Sequence, residues 1–164
     1  MADPHDPLKS NACSEPLRQT PQVCFAEALR SANRAVNRHY GRYLAGVGIT
    51  VAQASILTRL YYLGETTMAD LARRMETDRT TMVRNVAPLE RSGHILHRPA
   101  DKGRALLYRL SDKGLSTIGA AQSHWHAAQE ALRAELGDES FADLLSGFRR
   151  LVEIDVPVSG THRR

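Results

Sequence analysis

Apolar residues recur at spacings of three and four along most of this chain, which is the pattern of helices with one buried face. From Val23 onward the first stripe predicts a helix of about six turns, which Gly46 and Gly48 end. That stripe consists of Phe25, Leu29, Ala32, Val36, Tyr40 and Tyr43. Thr50 is placed to cap a second helix, which Gly64 ends. The apolar face of the second helix consists of Ala54, Leu57, Leu60 and Tyr61.

Two shorter helical runs follow between Thr67 and Gly93. Thr67 caps the first run, and Asp70 stands three residues later in a weaker form of the capping box. The buried stripe of this run is Met68, Leu71, Ala72 and Met75. A short turn leads to Asp78, which is placed to cap the second run. Pro88 removes one backbone hydrogen bond inside that run, so we expect a kink or an early end of the regular helix there.

A hairpin and two more helices complete the chain. Residues 95–96 and 106–110 predict two strands, and residues 99–103 predict the tip between them. Ser111 caps a long helix whose apolar stripe spans three heptads. This stripe consists of Leu115, Ile118, Gln122, Trp125, Gln129, Leu132 and Leu136. Gly137 ends the long helix, and a last helix is expected to turn an apolar face inward. That face consists of Phe141, Leu144, Leu145, Phe148, Leu151 and Val152.

Two short helices joined by a tight turn and followed by a hairpin form a winged helix-turn-helix, an arrangement that reads duplex DNA. The predicted fold class is therefore mainly α with a small β-wing, with a DNA-binding core at residues 50–110. Residues 1–21 hold four of the seven prolines and are expected to form a flexible arm. Residues 22–156 are expected to form a single domain, and residues 157–164 a flexible tail.

Composition excludes several classes of protein. With 164 residues, of which 42% are hydrophobic and 24% charged, the chain has the make-up of a globular domain. No apolar run approaches the ~20 residues that span a bilayer, and the N-terminus lacks the features of a secretion signal. Cys13 and Cys24 are the only cysteines, so no disulfide scaffold is indicated. A reducing cytoplasm is the expected location, without a membrane partner.

The net charge of +4 is concentrated in the predicted DNA-binding core. Between Thr66 and Gly114 there are ten basic and six acidic residues, and the difference of +4 equals that of the whole chain. An excess of positive charge on one segment suits a polyanionic partner such as nucleic acid. A solvated basic face is the alternative interpretation of the same charges.

The second of the two short helices can be oriented from its sequence alone. At ~100° per residue, Met82, Val86 and Leu89 fall on one side and are expected to face the core. The residues directly opposite are Thr80, Arg84 and Arg91. Arginine pairs with guanine, threonine contacts phosphate or the thymine methyl group, and a helix N-terminus favours phosphate. Three basic residues crowd the hairpin tip, where they can enter a minor groove or clamp the DNA backbone. They are Arg98, Lys102 and Arg104.

Five short strings in this order and with these gaps resemble the MarR-type winged-helix transcriptional regulators over residues 23–148. The strings are residues 48–53, 68–73, 78–85, 89–93 and 110–114. The resemblance implies an obligate homodimer joined by the first and last helices, at residues 22–46 and 111–156. It also implies a repressor that binds a pseudo-palindromic operator and releases it when a small molecule or an oxidant acts near the dimer crevice.

The resemblance also assigns residues to roles by their position. The residues of the recognition helix are Arg79, Thr80, Thr81, Arg84 and Asn85, and the wing arginine is Arg104. The family usually places an acid two residues before that arginine, to orient it. Here Lys102 occupies that place and Asp101 stands one residue earlier, from which it can still reach Arg104 across the tip.

Cys24 is the candidate for a redox role. It lies at the start of the first helix, where the helix dipole favours an anionic thiolate. Cys24-Phe25 is similar to the reactive-cysteine dipeptide of the branch that senses organic hydroperoxides, and Tyr40 resembles an assisting tyrosine there. The spacing to Tyr40 is two residues longer, and Val51 stands where a second tyrosine is expected. The alternative is a small apolar cysteine packed at the dimer interface.

Aromatic residues offer a second candidate for regulation. A set on the first, second and fifth helices can line a pocket for a phenolic or other aromatic acid, or belong to an ordinary core and interface. The set is His39, Tyr40, Tyr43, Tyr61, Tyr62 and Trp125. A metal site at the histidines 94, 97, 124 and 126 is conceivable, but solvated or wing-packed side chains are the favoured interpretation. The reason is that no cysteine or tight carboxylate cluster accompanies these histidines.

The sequence predicts a sequence-specific DNA-binding regulator and not an enzyme. It contains no nucleotide-binding loop, no metal-ligand motif and no Ser/His/Asp arrangement with supporting context, so no metal or cofactor is expected. The better rival is a winged helix that binds other proteins. The outward set of Thr80, Arg84 and Arg91 together with the basic wing argues against that rival.

Overall fold

The computed structural model describes residues 24–101 and 103–154. The predicted arm at 1–21, the predicted tail at 157–164, and the side chains of Cys13 and Lys102 lie outside the described residues. The chain divides into two units, residues 1–38 and residues 39–164. Within the described part, the first unit consists of most of one helix, and the second holds every other element.

The elements confirm the predicted fold class, which is mainly α with a small β-wing. The helices are α1 (Phe25–Leu44), α2 (Val51–Leu63), α3 (Met68–Arg74), α4 (Arg79–Arg91), α5 (Asp112–Leu136) and α6 (Asp138–Val152), with a short 3-10 turn at Ala45–Val47. The strands are β1 (Thr66–Thr67), β2 (Ile95–Pro99) and β3 (Leu106–Leu110). In the described part of the chain, no single helix is long and apolar enough to cross a membrane; Phe25–Val47 and Val51–Leu63 reach that length and composition only together.

Side-chain caps fix the starts of the helices where the sequence predicted them. Thr50 accepts from the backbone of Gln53, whose side chain accepts in return from the Thr50 backbone. The Thr67 hydroxyl accepts from the Asp70 backbone at 3.1 Å and donates to its carboxylate at 2.8 Å. Ser111 accepts from the backbone of Gly114 at 3.0 Å. Each cap satisfies backbone donors that a helix start leaves without a partner.

The sheet has three antiparallel strands in the order β1-β3-β2. The predicted hairpin is confirmed, with Ile95 opposite Leu110 and Pro99 opposite Leu106, so β2 extends three residues beyond its predicted end. Strand β1 pairs Thr66 with Tyr108 on the other edge of β3. The sequence did not predict β1, because two residues are too short to show an alternating pattern.

One core holds α2, α3, α4 and the inner face of the sheet together. Its largest fully buried side chains include Leu57 and Leu60 of α2, Leu71 of α3 and Ile95 of β2. The prediction that Tyr61 belongs to the buried face of α2 is wrong, because its side chain is 57% exposed. Ile56 is buried instead, so the buried face of α2 consists of Ile56, Leu57 and Leu60.

The predicted inward face of α6 is wrong for a single chain. Phe141 is buried, but the other large apolar residues that we expected inside are mostly exposed, among them Leu144, Leu145, Phe148 and Val152. On α5 the buried positions are Gly114, Ala121 and Ala128, whereas Leu115, Trp125 and Leu136 of the predicted stripe are exposed. Periodicity identifies an apolar face but does not tell whether the same chain covers it.

Gly114 lies where α5 begins against the turn between α4 and β2. A Cβ atom at this glycine would stand 2.3 Å from the His94 carbonyl oxygen and 3.2 Å from Cδ2 of Leu110. We expect Gly114→Ala to lower the free energy of unfolding by about 1–3 kcal/mol, because backbone must shift to make room. Urea denaturation followed by circular dichroism measures this change.

Gly119→Ala is the control, because it makes the same glycine-to-alanine change in the same helix without the close approach to other atoms. Among the described residues, no atom beyond the adjacent residues and the helix's own backbone lies within 4 Å of a Cβ atom at Gly119, so alanine there is expected to raise the free energy of unfolding by about 0.5–1 kcal/mol. Equal effects of the two substitutions would contradict the close approach at Gly114.

Candidate nucleic-acid interface

Burial orients helix α4 as its sequence predicted. Met82, Val86 and Leu89 are 1%, 0% and 1% exposed and belong to the core. The opposite face is exposed and carries Thr80, Arg84 and Arg91. Arg79 is also exposed, and Thr81 and Asn85 are half-buried on the flanks of that face. The helix therefore presents two kinds of donor, hydroxyl and guanidinium, on a side that no other described element covers.

The start of α4 is fixed by Asp78, which was predicted to cap it. Oδ1 of Asp78 accepts from the Thr81 backbone N–H at 2.8 Å. Hydrogen bonds from the side chain and the backbone of Thr81 hold the pKa of the Asp78 carboxyl below its usual value. The turn before it is closed by the Thr77 N–H, which donates to the Ala72 carbonyl at 3.1 Å. This turn joins α3 to α4.

Of the two outcomes expected at Pro88, a kink or an early end of the regular helix, the early end is wrong, because α4 continues to Arg91. Pro88 removes one donor, but its own carbonyl accepts from the backbone and the hydroxyl of Ser92, at 3.0 and 2.8 Å. Gly93, at a φ of +75°, and His94 then donate to the carbonyls of Glu90 and Leu89 at 2.9 and 2.8 Å. This pair of bonds is the Schellman motif. It lets the last turn keep Leu89 in the core.

The base of the wing is held by an ion-pair network. Arg98 of β2 donates from Nε and Nη2 to the carboxylate of Glu65 at 2.7–3.2 Å, and from Nη1 to Asp101 at 3.0 Å. Nε of Arg109 lies 3.7 Å from Glu65. The hydrogen bond from Arg98 lowers the pKa of Glu65, and the bonds to Glu65 and Asp101 raise the pKa of Arg98 further above its usual value. Asp101 thus pairs with Arg98. The contact with Arg104 that its position in the sequence allows does not form among the described residues.

The wing is also tied to α4. Nδ1 of His97 on β2 lies 2.7 Å from Oε1 of Glu90 on α4, and the His97 ring packs against Tyr108 with 5.7 Å between centroids. Arg104 lies past the tip and is exposed. The exposed side of α4 and strand β2 of the wing are therefore held together within one unit, residues 39–164.

A cavity of about 920 Å³ lies between α2 and α5. Of the predicted aromatic set, Tyr61, Tyr62 and Trp125 line it, and Arg59 supplies a cation. Tyr40 and Tyr43 are not among its lining residues. The Tyr40 hydroxyl instead donates to Gln129 of α5, and burial raises the pKa of Tyr40. The structure thus divides the predicted aromatic set between a cavity and a contact along α5.

Comparison with known proteins shows which family the central segment of the chain is similar to. The family model described as "MarR family" matches residues 49–102, the segment from the start of α2 to the wing tip. Over this segment the chain is similar to the MarR family. A curated HTH-type transcriptional regulator of Bacillus subtilis, YdgJ, is 26% identical over 121 residues, which are 72% of this chain and 73% of that protein.

Solved structures agree with this family. The M. tuberculosis transcriptional regulator MosR in complex with DNA is 27% identical, with a TM-score of 0.68 over 79% of this chain and 96% of that chain. A mutant MarR from E. coli complexed with operator DNA has a TM-score of 0.71, over 77% of this chain and 91% of that chain. At 18% identity, that likeness shows the fold alone. The family and fold are those of transcriptional regulators and not of enzymes.

Cys24 lies directly before α1. Its carbonyl oxygen accepts from the backbone N–H groups of Glu27 and Ala28, both at 2.9 Å, and its side chain is a free, exposed thiol. Among the described residues, no group of three His, Cys, Asp or Glu side chains is placed to hold a metal ion. The exposed thiol is therefore accessible to an oxidant within this chain.

Two features of the site were not found from the sequence. Glu65 follows Gly64 in a short connection, and nothing in its local pattern indicates that it contacts Arg98, 33 positions later. Val83 is 45% exposed on α4, beside Arg84, and was not among the expected contact residues. The helical spacing of α4 places Val83 at the edge of the outward face, so its position in the sequence could have identified it.

The cap of α4 gives a test by pH. Because the folded pKa of Asp78 is lowered, its stabilising effect is present at neutral pH and is lost as the pH falls through the folded pKa. The free energy of unfolding of the wild type should therefore exceed that of Asp78→Ala at pH 7, and the difference should shrink below about pH 4. Urea denaturation at a series of pH values measures both.

Asp78→Asn is the matched control, since asparagine caps a helix without titrating in this range. Its advantage over Asp78→Ala should not change with pH. A wild-type advantage that is equally independent of pH would show that the Asp78 carboxylate does not stabilise α4.

Proposed function

We propose that this MarR-family regulator binds a pseudo-palindromic DNA operator as a homodimer, with α4 in the major groove and the wing at the adjacent minor groove. The exposed face of α4 carries the proposal, because Thr80, Arg84 and Arg91 lie opposite a fully buried stripe. Arginine donates in pairs to guanine in the major groove, and the threonine methyl group fits against thymine. The proposed DNA contacts are Arg79, Thr80, Thr81, Arg84, Asn85, Arg91, Lys102 and Arg104.

Free positive charge supports this assignment. Within the described residues, arginine ion pairs form at Arg73, Arg98, Arg109 and Arg133, and none forms at Arg79, Arg84, Arg91 or Arg104. Unpaired guanidinium groups on one side of the unit are available to phosphate and bases. Arg98, in contrast, is occupied by Glu65 and Asp101, so we assign it to the wing base instead of the DNA surface.

A second copy of the chain is the proposed cover for the apolar faces of the flanking helices. Residues of α6 that lie outside the core include Leu144, Leu145, Phe148 and Val152, and Trp125 and Leu136 are exposed on α5. Several exposed large apolar side chains on neighbouring helices are typical of a protein–protein interface. A two-fold dimer places two α4 helices one DNA turn apart, which matches an operator with two half-sites.

The cavity between α2 and α5 is the proposed site of a small aromatic acid that releases the DNA. Tyr61, Tyr62 and Trp125 offer faces for a phenyl ring, and Arg59 offers a partner for a carboxylate. Helix α2 packs on α5, on α4 and on β3, so a ligand that separates α2 from α5 moves the DNA-binding unit relative to the dimer helices. We propose that the protein is a repressor whose DNA binding such a ligand ends, and that it acts in the cytoplasm.

An organic hydroperoxide acting on Cys24 is the second candidate signal. The observation that favours it is the exposed, free thiol directly before α1. Oxidation to a sulfenic acid requires a thiolate that solvent can reach, and the exposed side chain of Cys24 is accessible to solvent.

Arginine substitutions on α4 and the wing test the proposed orientation. We expect Arg84→Ala to weaken binding to the selected operator by about 1–3 kcal/mol and to blur one base position, because Arg84 faces base edges. Arg104→Ala should weaken binding to all duplexes more evenly. Fluorescence anisotropy with operator and unrelated duplexes measures both effects.

Arg133→Ala removes the same charge from the far end of α5 and serves as the control. If Arg84→Ala and Arg104→Ala keep full operator affinity, the orientation of α4 is wrong. If the wild type shows no loss of affinity between about 50 and 200 mM salt, a protein-binding winged helix is favoured over a DNA-binding one.

The two signals separate in a Cys24→Ser variant. If oxidation is the signal, hydroperoxide releases the operator from the wild type and not from Cys24→Ser. A phenolic acid then releases the operator from neither protein. Gel shifts with each compound measure release. Equal release of the operator from both proteins by hydroperoxide would exclude Cys24 as the sensor. Release from both proteins by a phenolic acid would support the cavity as the site of regulation.

A further inference from the structure

Glu65 occupies a position from which it contacts the wing across the whole sheet. It follows Gly64, whose φ is +70°, in the connection between α2 and β1. Strand β1 is one edge of the sheet, and Arg98 is on β2, the other edge. The hydrogen bonds between Glu65 and Arg98, at 2.7–3.2 Å, therefore connect both edges over the central strand β3.

The register of the sheet explains how these side chains meet. Thr67 and Arg98 both pair with Leu107 of β3, one from each side, so the three lie in one row. Arg109 stands two residues along β3 from Leu107, on the same face of the sheet. The opposite face carries Tyr108 and Leu110, which are buried in the core. Glu65 thus lies between two arginines on the outer face.

We propose that Glu65 is a positioning residue for the wing: through Arg98 it holds the hairpin at the angle that brings Arg104 to the DNA backbone. The inference rests on the proposed DNA-binding function. At about 3.3 Å per residue, the tip lies ~10 Å beyond Arg98, so a change of about 10° at the base moves the tip by ~2 Å. A displacement of that size breaks a hydrogen bond to phosphate.

Simple electrostatics and the positioning role predict opposite signs for one substitution. Glu65→Gln removes a negative charge from a DNA-binding unit without changing the size of the side chain. If charge alone matters, affinity for every duplex rises. If Glu65 positions the wing, affinity for the operator falls by about tenfold, and affinity for unrelated duplexes falls with it, because the lost Arg104 contact is to the DNA backbone.

The test measures operator and non-specific binding of the full-length chain over a range of salt concentrations. For Glu65→Gln we expect the slope of log affinity against log salt on the operator to fall by about one, as when one phosphate contact is lost. Unchanged thermal unfolding checks that the fold is intact. Glu76→Gln is the control, since Glu76 lies in the turn before α4 and forms no ion pair among the described residues.

A double variant decides whether the effect passes through the wing arginine. In an Arg104→Ala background, Glu65→Gln should change operator affinity by less than about twofold, because the contact that it positions is already gone. Operator binding by Glu65→Gln that equals or exceeds that of the wild type would overturn the positioning role. A wild type without salt-dependent DNA binding would instead overturn the proposed function.

Discussion

Burial of Met82, Val86 and Leu89 decides which side of α4 remains free, and the rest of the candidate interface depends on that choice. These three side chains lie in the core between α2, α3 and the sheet, where a rotation of α4 would expose all of them. Burying a side chain of this size contributes about 1.5–3 kcal/mol, so a rotated helix is strongly disfavoured. The outward position of Arg84 is therefore set by packing on the opposite side of the helix.

The start and end of α4 add to this constraint. Asp78 caps the first turn, and the Schellman bonds of Gly93 and His94 close the last one. His94 in turn accepts at its carbonyl from the backbone of Ser111, the cap of α5. Helix α4, the wing and helix α5 thus meet at one junction. This junction explains why a single methyl group at Gly114 is expected to matter for the fold.

Helical periodicity and capping residues predicted much of this arrangement from neighbouring positions. They did not predict the contacts between residues that are distant in the sequence. The periods of α4 and the capping residues are local, so the buried side of α4 and the roles of Thr50, Thr67, Asp78 and Ser111 followed from neighbouring positions. The continuation past Pro88 did not, because the burial of Leu89 and the Ser92 bonds outweigh a missing donor. Surface ion pairs such as Glu65–Arg98 join residues far apart in the sequence and leave no periodic pattern from which they could be predicted. The apolar face of α6 was predicted correctly as a pattern but wrongly as an interior.

Selection of bound sequences from a pool of random duplexes tests the central claim most directly. If two α4 helices of a homodimer read the major groove, the enriched sequences form an inverted repeat with half-site centres about 10 base pairs apart. Arg84→Ala should then relax the preference at one symmetric pair of positions. Enrichment of no sequence, or of a single element without two-fold symmetry, would contradict this account of the site.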